Sequence, residues 1–167
     1  MEKRVQDYGK EILNVVRSNV SPAVLAKRLQ DFHENDLADV LEELSVVERC
    51  KLYRVLNMDM LSDIFEYTDS DNAAEYVKEM EVKKAAAILS KMETNVLADV
   101  LQQFERSKRK ILIELLDDKV RHDIELITSF DDDEIGSRMT TNYIVIHENI
   151  SVKEAMSQLV TQAAENG

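Results

Sequence analysis

The sequence is poor in the residues that form tight turns, disulfide bonds and large aromatic clusters. Its 167 residues include three glycines, one proline, one cysteine and no tryptophan. So few glycines and prolines do not suit a fold of hairpins, and they favour helices joined by short polar links. The single cysteine, Cys50, excludes an internal disulfide and predicts a reducing compartment, with the thiol partly buried on a helix.

Positive charge is also in short supply. Lysine and arginine total 21 against 33 aspartates and glutamates, which gives a net charge of −12. Repulsion from phosphates argues against a nucleic-acid partner, and an anionic membrane surface is disfavoured for the same reason. The balance favours cations or a basic partner, although the same charge can serve solubility alone.

Long apolar runs and catalytic motifs are missing as well. No stretch approaches the roughly 18 apolar residues of a membrane-spanning helix, and the N-terminus lacks the apolar core of a signal peptide, so we expect a chain that does not itself cross a bilayer. His33, His122 and His147 are scattered, without metal-binding spacing, a glycine-rich phosphate loop or a nucleophile motif. We therefore expect no enzyme.

What the sequence does contain is a repeat of twelve residues between Leu37 and Thr128. Octets that begin at residues 37, 49, 61, 73, 85, 97, 109 and 121 have apolar fourth, fifth and eighth places with few exceptions, and LADVL occurs twice. Twelve residues of continuous helix, at about 100° each, would turn the apolar stripe by about 120°. The chain must therefore break at each repeat, and we predict an all-α fold, a right-handed superhelix (solenoid) of short helices.

Capping residues indicate where the helices begin. Ser21-Pro22 predicts a helix start, with the array beginning near residue 24 after a separate N-terminal helix. Ser45 with Glu48, and Ser151 with Glu154, have the spacing of a capping box. The link at 81–84 has no good cap, so the flanking helices either merge or are separated by packing alone.

The pattern changes after Thr128. Residues 142–147 (NYIVIH) are rich in β-formers and predict a strand, and an amphipathic helix follows from Ser151. One strand and one helix cannot bury a core. We therefore expect the start of a second, α/β domain whose remainder lies elsewhere.

Acidic residues recur at the third place of the octet in five of the eight units. Because equivalent places of a solenoid form a row, these carboxylates are expected along one surface. Such a row could hold hard divalent cations such as Mg²⁺, or it could be a solvated face that keeps the array soluble. The five residues are Asp39, Asp63, Glu75, Asp99 and Asp123.

The helical array, with LADVLEEL and LADVLQQF followed by SFDDDEIGSRMTTNYIVIHENISVKEAM, resembles the cytosolic part of the MgtE magnesium transporters. The junction resembles the family's in its aromatic Phe130, the acidic run 131–134, Gly136 and the segment MTTNY, while ISVKEAM resembles the first helix of a CBS unit. The apolar pattern near the N-terminus predicts a helix in 1–23. After it, the resemblance implies an MgtE N-type superhelix in 24–130, and a junction with an incomplete first CBS unit in 131–167.

The resemblance also implies a function, regulation of transport by cytosolic Mg²⁺. Family members bind Mg²⁺ at acidic residues between the N domain, the CBS domains and the membrane domain, which stabilises a closed state. Asp63, in LSDIF, and Asp99, in the second LADVL, match acidic ligand positions, and Asn95 stands where the family can have an aspartate.

The partners implied are Mg²⁺, bound weakly by this chain alone, and the CBS and membrane domains of the same full-length chain. We expect a homodimer when full length, a location on the cytoplasmic side of the membrane, and no nucleic acid. The alternative is a helical-repeat scaffold for protein–protein contact, similar to the flagellar rotor protein FliG.

Overall fold

The protein is described from a computed structural model, which covers residues 8–127, residue 146 and residues 148–166. Ten helices occupy the first range and one more lies in the last. In chain order they are α1 (Tyr8–Arg17), α2 (Pro22–Leu29), α3 (Glu34–Leu41), α4 (Val46–Val55), α5 (Met58–Glu66), α6 (Ser70–Lys78), α7 (Val82–Leu89), α8 (Thr94–Gln102), α9 (Arg106–Leu115), α10 (Asp118–Ile127) and α11 (Val152–Asn166).

The helices begin at a constant interval. From α2 to α10 the first residues are 22, 34, 46, 58, 70, 82, 94, 106 and 118, each twelve after the last. The chain is broken near residues 45, 93 and 117, where unbroken helices would have contradicted the repeat. The predicted superhelix of short helices is therefore confirmed in the part of the chain described.

The helices alternate between two layers. In the first layer α1 packs against α3, α3 against α5, α5 against α7 and α7 against α9. In the second, α2 packs against α4, α6 against α8 and α8 against α10. Because α1 contacts α3 as α3 contacts α5, the first helix continues the stack, although our predicted domain bounds set it apart.

The core lies between the layers and is filled by the repeat. The fourth place of every octet is buried, and the fifth place is buried in six of the eight. Thr68, a weak eighth place, is also buried, because its hydroxyl donates to the carbonyl of Ile64 at 2.9 Å. The fourth-place residues are Val40, Leu52, Ile64, Tyr76, Ile88, Val100, Leu112 and Ile124.

Some links are capped and others are not. The Ser45 amide donates to Glu48 Oε2 at 2.9 Å and the Glu48 amide to Ser45 Oγ at 3.4 Å, which confirms the capping box. Ser151 and Glu154 form a second one. The break before Val82 occurs without a side-chain cap from Glu81, so α6 and α7 stay separate although their link is uncapped.

The C-terminal region is described only in part. Of the predicted strand 142–147, only Ile146 lies within the described residues, where it has no regular secondary structure. The predicted helix after Ser151 is present as α11, and Val152, Met156 and Val160 on it are exposed. No helix in the described ranges is long and apolar enough to span a membrane.

Candidate cation-binding surface

The two-layered packing divides the acidic row that the repeat predicts. Asp39 and Asp63 lie on α3 and α5 of the first layer, whereas Glu75, Asp99 and Asp123 lie on α6, α8 and α10 of the second. The prediction of one row on one surface is therefore wrong. Neighbours in a layer are two repeats apart, so consecutive octets face different sides.

Asp63 is an exposed side chain on α5 with other carboxylates around it. Partial burial raises its pKa above the usual 3.8, and the negative charges of Glu34 and Asp59 raise the pKa further. Asp59 itself is paired with Lys91, whose Nζ lies 2.6 Å from Asp59 Oδ1. The surroundings of Asp63 therefore disfavour its negative charge, which a bound cation would relieve.

Glu66 extends this acidic surface toward α8. Its Oε1 accepts a hydrogen bond from the backbone amide of Glu93 at 2.6 Å. Burial raises the pKa of Glu66, and Glu93 and Asp63 add to the rise, against the opposing effect of that hydrogen bond. We call Glu34, Asp59, Asp63 and Glu66 the acidic patch.

Asp99 and Asn95 are exposed on α8 and lie four residues apart, so they share one face of that helix. The layer of α8 is not the layer of α5, so Asp99 and Asn95 lie in a different layer from Asp63. Asn95 contributes a neutral amide oxygen, which is a weaker ligand for Mg²⁺ than a carboxylate. Their assignment as metal ligands stays a prediction.

The donor groups present suit an open site. Within the described residues no three histidine, cysteine, aspartate or glutamate side chains lie close enough together to hold a metal ion. Mg²⁺ keeps several of its waters and is commonly held by only one or two carboxylates. Asp63 and Asp99 could each supply one such oxygen, with further ligands from another surface.

Two arginines bind backbone carbonyls where helices end, which sequence reasoning did not predict. Arg49 Nη1 donates to the carbonyls of Leu41 at 3.2 Å and Leu44 at 2.5 Å, where α3 ends. Arg109 Nη2 donates at 3.0 Å to the carbonyls of Gln102 and Phe104, where α8 ends. The sequence contained a sign of this, because both arginines occupy the first octet place, which is apolar in most repeats.

Arg49 also anchors a network between α4 and α6. Its Nε and Nη2 both bind the carboxylate of Glu79, and the Tyr53 hydroxyl donates to Glu79 Oε2 at 3.0 Å. The guanidinium lies over the Tyr76 ring, 4.7 Å from its centre. Burial, followed by the charge of Glu79, raises the pKa of Tyr53. The network joins the ends of three helices that the repeat alone does not tie together.

These features define a class, the α-helical superhelical domain whose outer faces carry carboxylates. The chain belongs to the family described as the MgtE intracellular N domain, whose sequence profile matches residues 32–133. The resemblance to MgtE proteins is thereby confirmed.

A magnesium transporter is also similar to this chain in sequence. The magnesium transporter MgtE of Thermus thermophilus is 26% identical over 135 residues, which make up 79% of this chain and 30% of that protein. The chain thus spans less than a third of that relative.

Two solved structures share the fold. The soluble part of a magnesium transporter has a TM-score of 0.79 at 24% identity, over 96% of this chain and 63% of that one. The cytosolic domain of the Mg²⁺ channel MgtE in complex with ATP has a TM-score of 0.82 at 23% identity, over 93% of this chain and 64% of that one. At these identities the likeness establishes the fold.

Proposed function

We propose that the chain is the Mg²⁺-sensing, regulatory part of an MgtE-type magnesium transporter on the cytoplasmic side of the membrane. In this proposal Asp63 and Asp99, with Asn95 as a weaker neighbour, bind Mg²⁺ where the superhelix meets the CBS and membrane domains. The observation that carries it is the family match, because residues 32–133 include the helices that bear all three side chains.

Electrostatic repulsion supplies the mechanism. Two unit charges about 4 Å apart repel by about 4 kcal/mol at an effective dielectric constant near 20. Asp63 already stands beside Glu34 and Asp59, so a second acidic surface would be repelled from this patch. Bound Mg²⁺ supplies the positive charge that lets the carboxylates approach, and the compact, closed state follows.

We propose two ions rather than one. Asp63 lies on α5 in the first layer and Asp99 on α8 in the second. Each carboxylate would meet a different part of the remaining protein. Loss of cytosolic Mg²⁺ would free both contacts, the acidic surfaces would separate, and the pore could open.

The test is thermal unfolding of the longer protein with complete CBS domains, with and without millimolar Mg²⁺. A ligand at 20-fold excess over its dissociation constant adds about 2 kcal/mol to the free energy of unfolding, which is a rise of several degrees in Tm. Asp63→Asn and Asp99→Asn should each remove part of the rise, and the double variant most of it. Glu43→Gln, an exposed carboxylate outside the acidic patch, is the matched control.

Each outcome has a meaning. A melting curve unchanged by 20-fold excess Mg²⁺ would favour the protein–protein scaffold. Equal loss in Glu43→Gln would show a general charge effect. A tight site in the 167-residue chain alone would contradict ligands shared with other domains, because we expect weak or no binding there.

A further inference from the structure

A groove with a volume of about 230 Å³ opens between α6, α7 and α9. Its lining is almost wholly apolar, and two lysines, Lys78 and Lys108, complete it. None of the residues that line the groove is used in the Mg²⁺ proposal. Its main apolar residues are Val77, Met80, Val82, Phe104, Ile111 and Leu112.

Two of these apolar side chains remain accessible on facing helices. Val82, at the start of α7, is 48% exposed, and Ile111, on α9, is 52% exposed. Ile111 occupies the third octet place, where five other repeats carry a carboxylate. The third place is charged in six of the eight repeats, and an exposed apolar side chain there that adjoins an apolar groove favours contact with another molecule.

The charged residues that line the groove are both lysines, although the whole chain is acidic. The first turn of α9 has no acidic residue and carries Arg106 and Lys108 instead. Cations at a helix N-terminus oppose the helix dipole, so these residues do not serve the helix itself. Lys108 is exposed and makes no hydrogen bond or ion pair with the residues described.

Lys78 is held at the other edge of the groove. Its Nζ is paired with Glu75 at 2.5 Å and lies 5.3 Å from the centre of the Phe104 ring. Glu75 is exposed, so an arriving carboxylate could replace it without uncovering a buried charge. Two ammonium groups therefore border an apolar depression in a chain with a net charge of −12.

We propose that this groove binds an acidic amphipathic helix of a partner protein. One or two large apolar side chains of the partner, three or four residues apart, would enter between Val82 and Ile111, and flanking carboxylates would pair with Lys78 and Lys108. A flat lipid surface does not fill a concave groove, and two copies of this acidic chain repel each other.

The experiment selects partners without assuming their sequence. A displayed library of random helical peptides of about four turns, long enough to lie in a groove as an amphipathic helix, is passed over the immobilised chain. Peptides that also bind the Lys108→Glu/Ile111→Ser double variant are removed. Fluorescence anisotropy then measures the affinity of the enriched peptides for the wild type, for each single variant and for Lys110→Glu. Both substituted side chains are exposed, and circular dichroism checks that the variants keep their helices.

The expected result is enrichment of aspartate and glutamate around leucine, isoleucine or phenylalanine spaced by three or four residues. Lys108→Glu should weaken binding at least about tenfold, and Lys110→Glu, on the same helix outside the groove, less than about threefold. Enriched peptides without an acidic excess, or equal effects of the two charge reversals, would overturn the proposal. A library from which no peptide is enriched would also overturn the proposal if the chain instead binds phosphatidylglycerol vesicles, or forms a dimer in sedimentation, and Lys108→Glu abolishes that binding.

Discussion

Arg49 shows how much one side chain can do at a place where most repeats have an apolar residue. Its side chain is 13% exposed and that of Glu79 is 14% exposed. The hydrogen bond to Glu79 raises the pKa of Arg49, so the guanidinium keeps its positive charge at any ordinary pH. Since desolvation offsets much of the attraction in such a pair, the pair's main effect is to fix the arrangement of α4 against α6.

Removal of one partner of this pair should be costly. Glu79→Gln leaves the Arg49 charge largely buried without a counter-charge, and we expect a loss of about 3 kcal/mol in the free energy of unfolding. Urea unfolding followed by circular dichroism measures it. The control is Lys110→Gln, whose exposed pair with Glu114 should contribute no more than about 0.5 kcal/mol. Similar losses in both variants would show that burial does not decide the cost.

Asp63 should respond to pH in the opposite way from a stabilising carboxylate. Its pKa is raised in the folded protein above the usual 3.8. The folded state therefore holds the proton more tightly, and ionisation of Asp63 disfavours folding above the raised pKa. Below 3.8, where the group is protonated both folded and unfolded, the penalty is absent.

Asp63→Asn removes this penalty. In Mg²⁺-free buffer at pH 7 we expect the variant to be more stable by no more than about 0.5 kcal/mol, a rise of roughly 1–2 °C in Tm. The difference should disappear as the pH falls below 3.8. Calorimetry across this range checks it, with Glu43→Gln as the control, and a variant that melts lower at pH 7 would contradict a repulsive acidic patch.

At the scale of single helices, two serines that look alike in the sequence differ in whether they cap a helix. Ser45 and Ser21 both precede a helix, but only Ser45 forms the side-chain cap. Arg17 first, and Ser45 second, lower the pKa of Glu48 from 4.5 to about 2. The stability that ionised Glu48 contributes to the folded state is therefore fully present above pH 4.5 and is lost as the pH falls toward 2.

Ser45→Ala should lower the free energy of unfolding by about 1 kcal/mol, because the α4 amide loses its acceptor. Ser21→Ala should change it by less than about 0.5 kcal/mol, since Pro22 already begins α2 and no cap hydrogen bond is lost. Paired denaturation curves at pH 7 measure both. An equal loss at the two positions would mean that the serines act through the unfolded chain.

The helix boundaries could be predicted from sequence because the apolar period and the capping residues act locally. The division of the helices into two layers could not be predicted in this way. A twelve-residue interval requires a break, but the direction in which each link turns the chain depends on packing between helices that are not consecutive. Asp63 and Asp99 are three repeats apart, and an odd number places them in different layers once alternation is known. Asp59, four residues before Asp63 on the same helix, was visible in the sequence and was missed.

For the whole molecule, alternation makes a strong prediction about deletions. Removal of residues 82–105 takes out one helix from each layer and leaves α9 in the layer where it began. We expect this chain to unfold cooperatively at a lower Tm, as repeat proteins do when they lose repeats. Removal of residues 94–105 moves α9 to the other layer, and we expect loss of cooperative unfolding and binding of the dye ANS. Equal cooperativity in the two chains would contradict the layered packing.

The short links between α2 and α10 have a mechanical consequence. Every link has between two and four residues, so none provides a long, slack joint at which the stack could fold over. Bending must be shared among many small adjustments between adjacent helices, as in a coiled spring. Force applied to one end of the stack would therefore be transmitted along its full length.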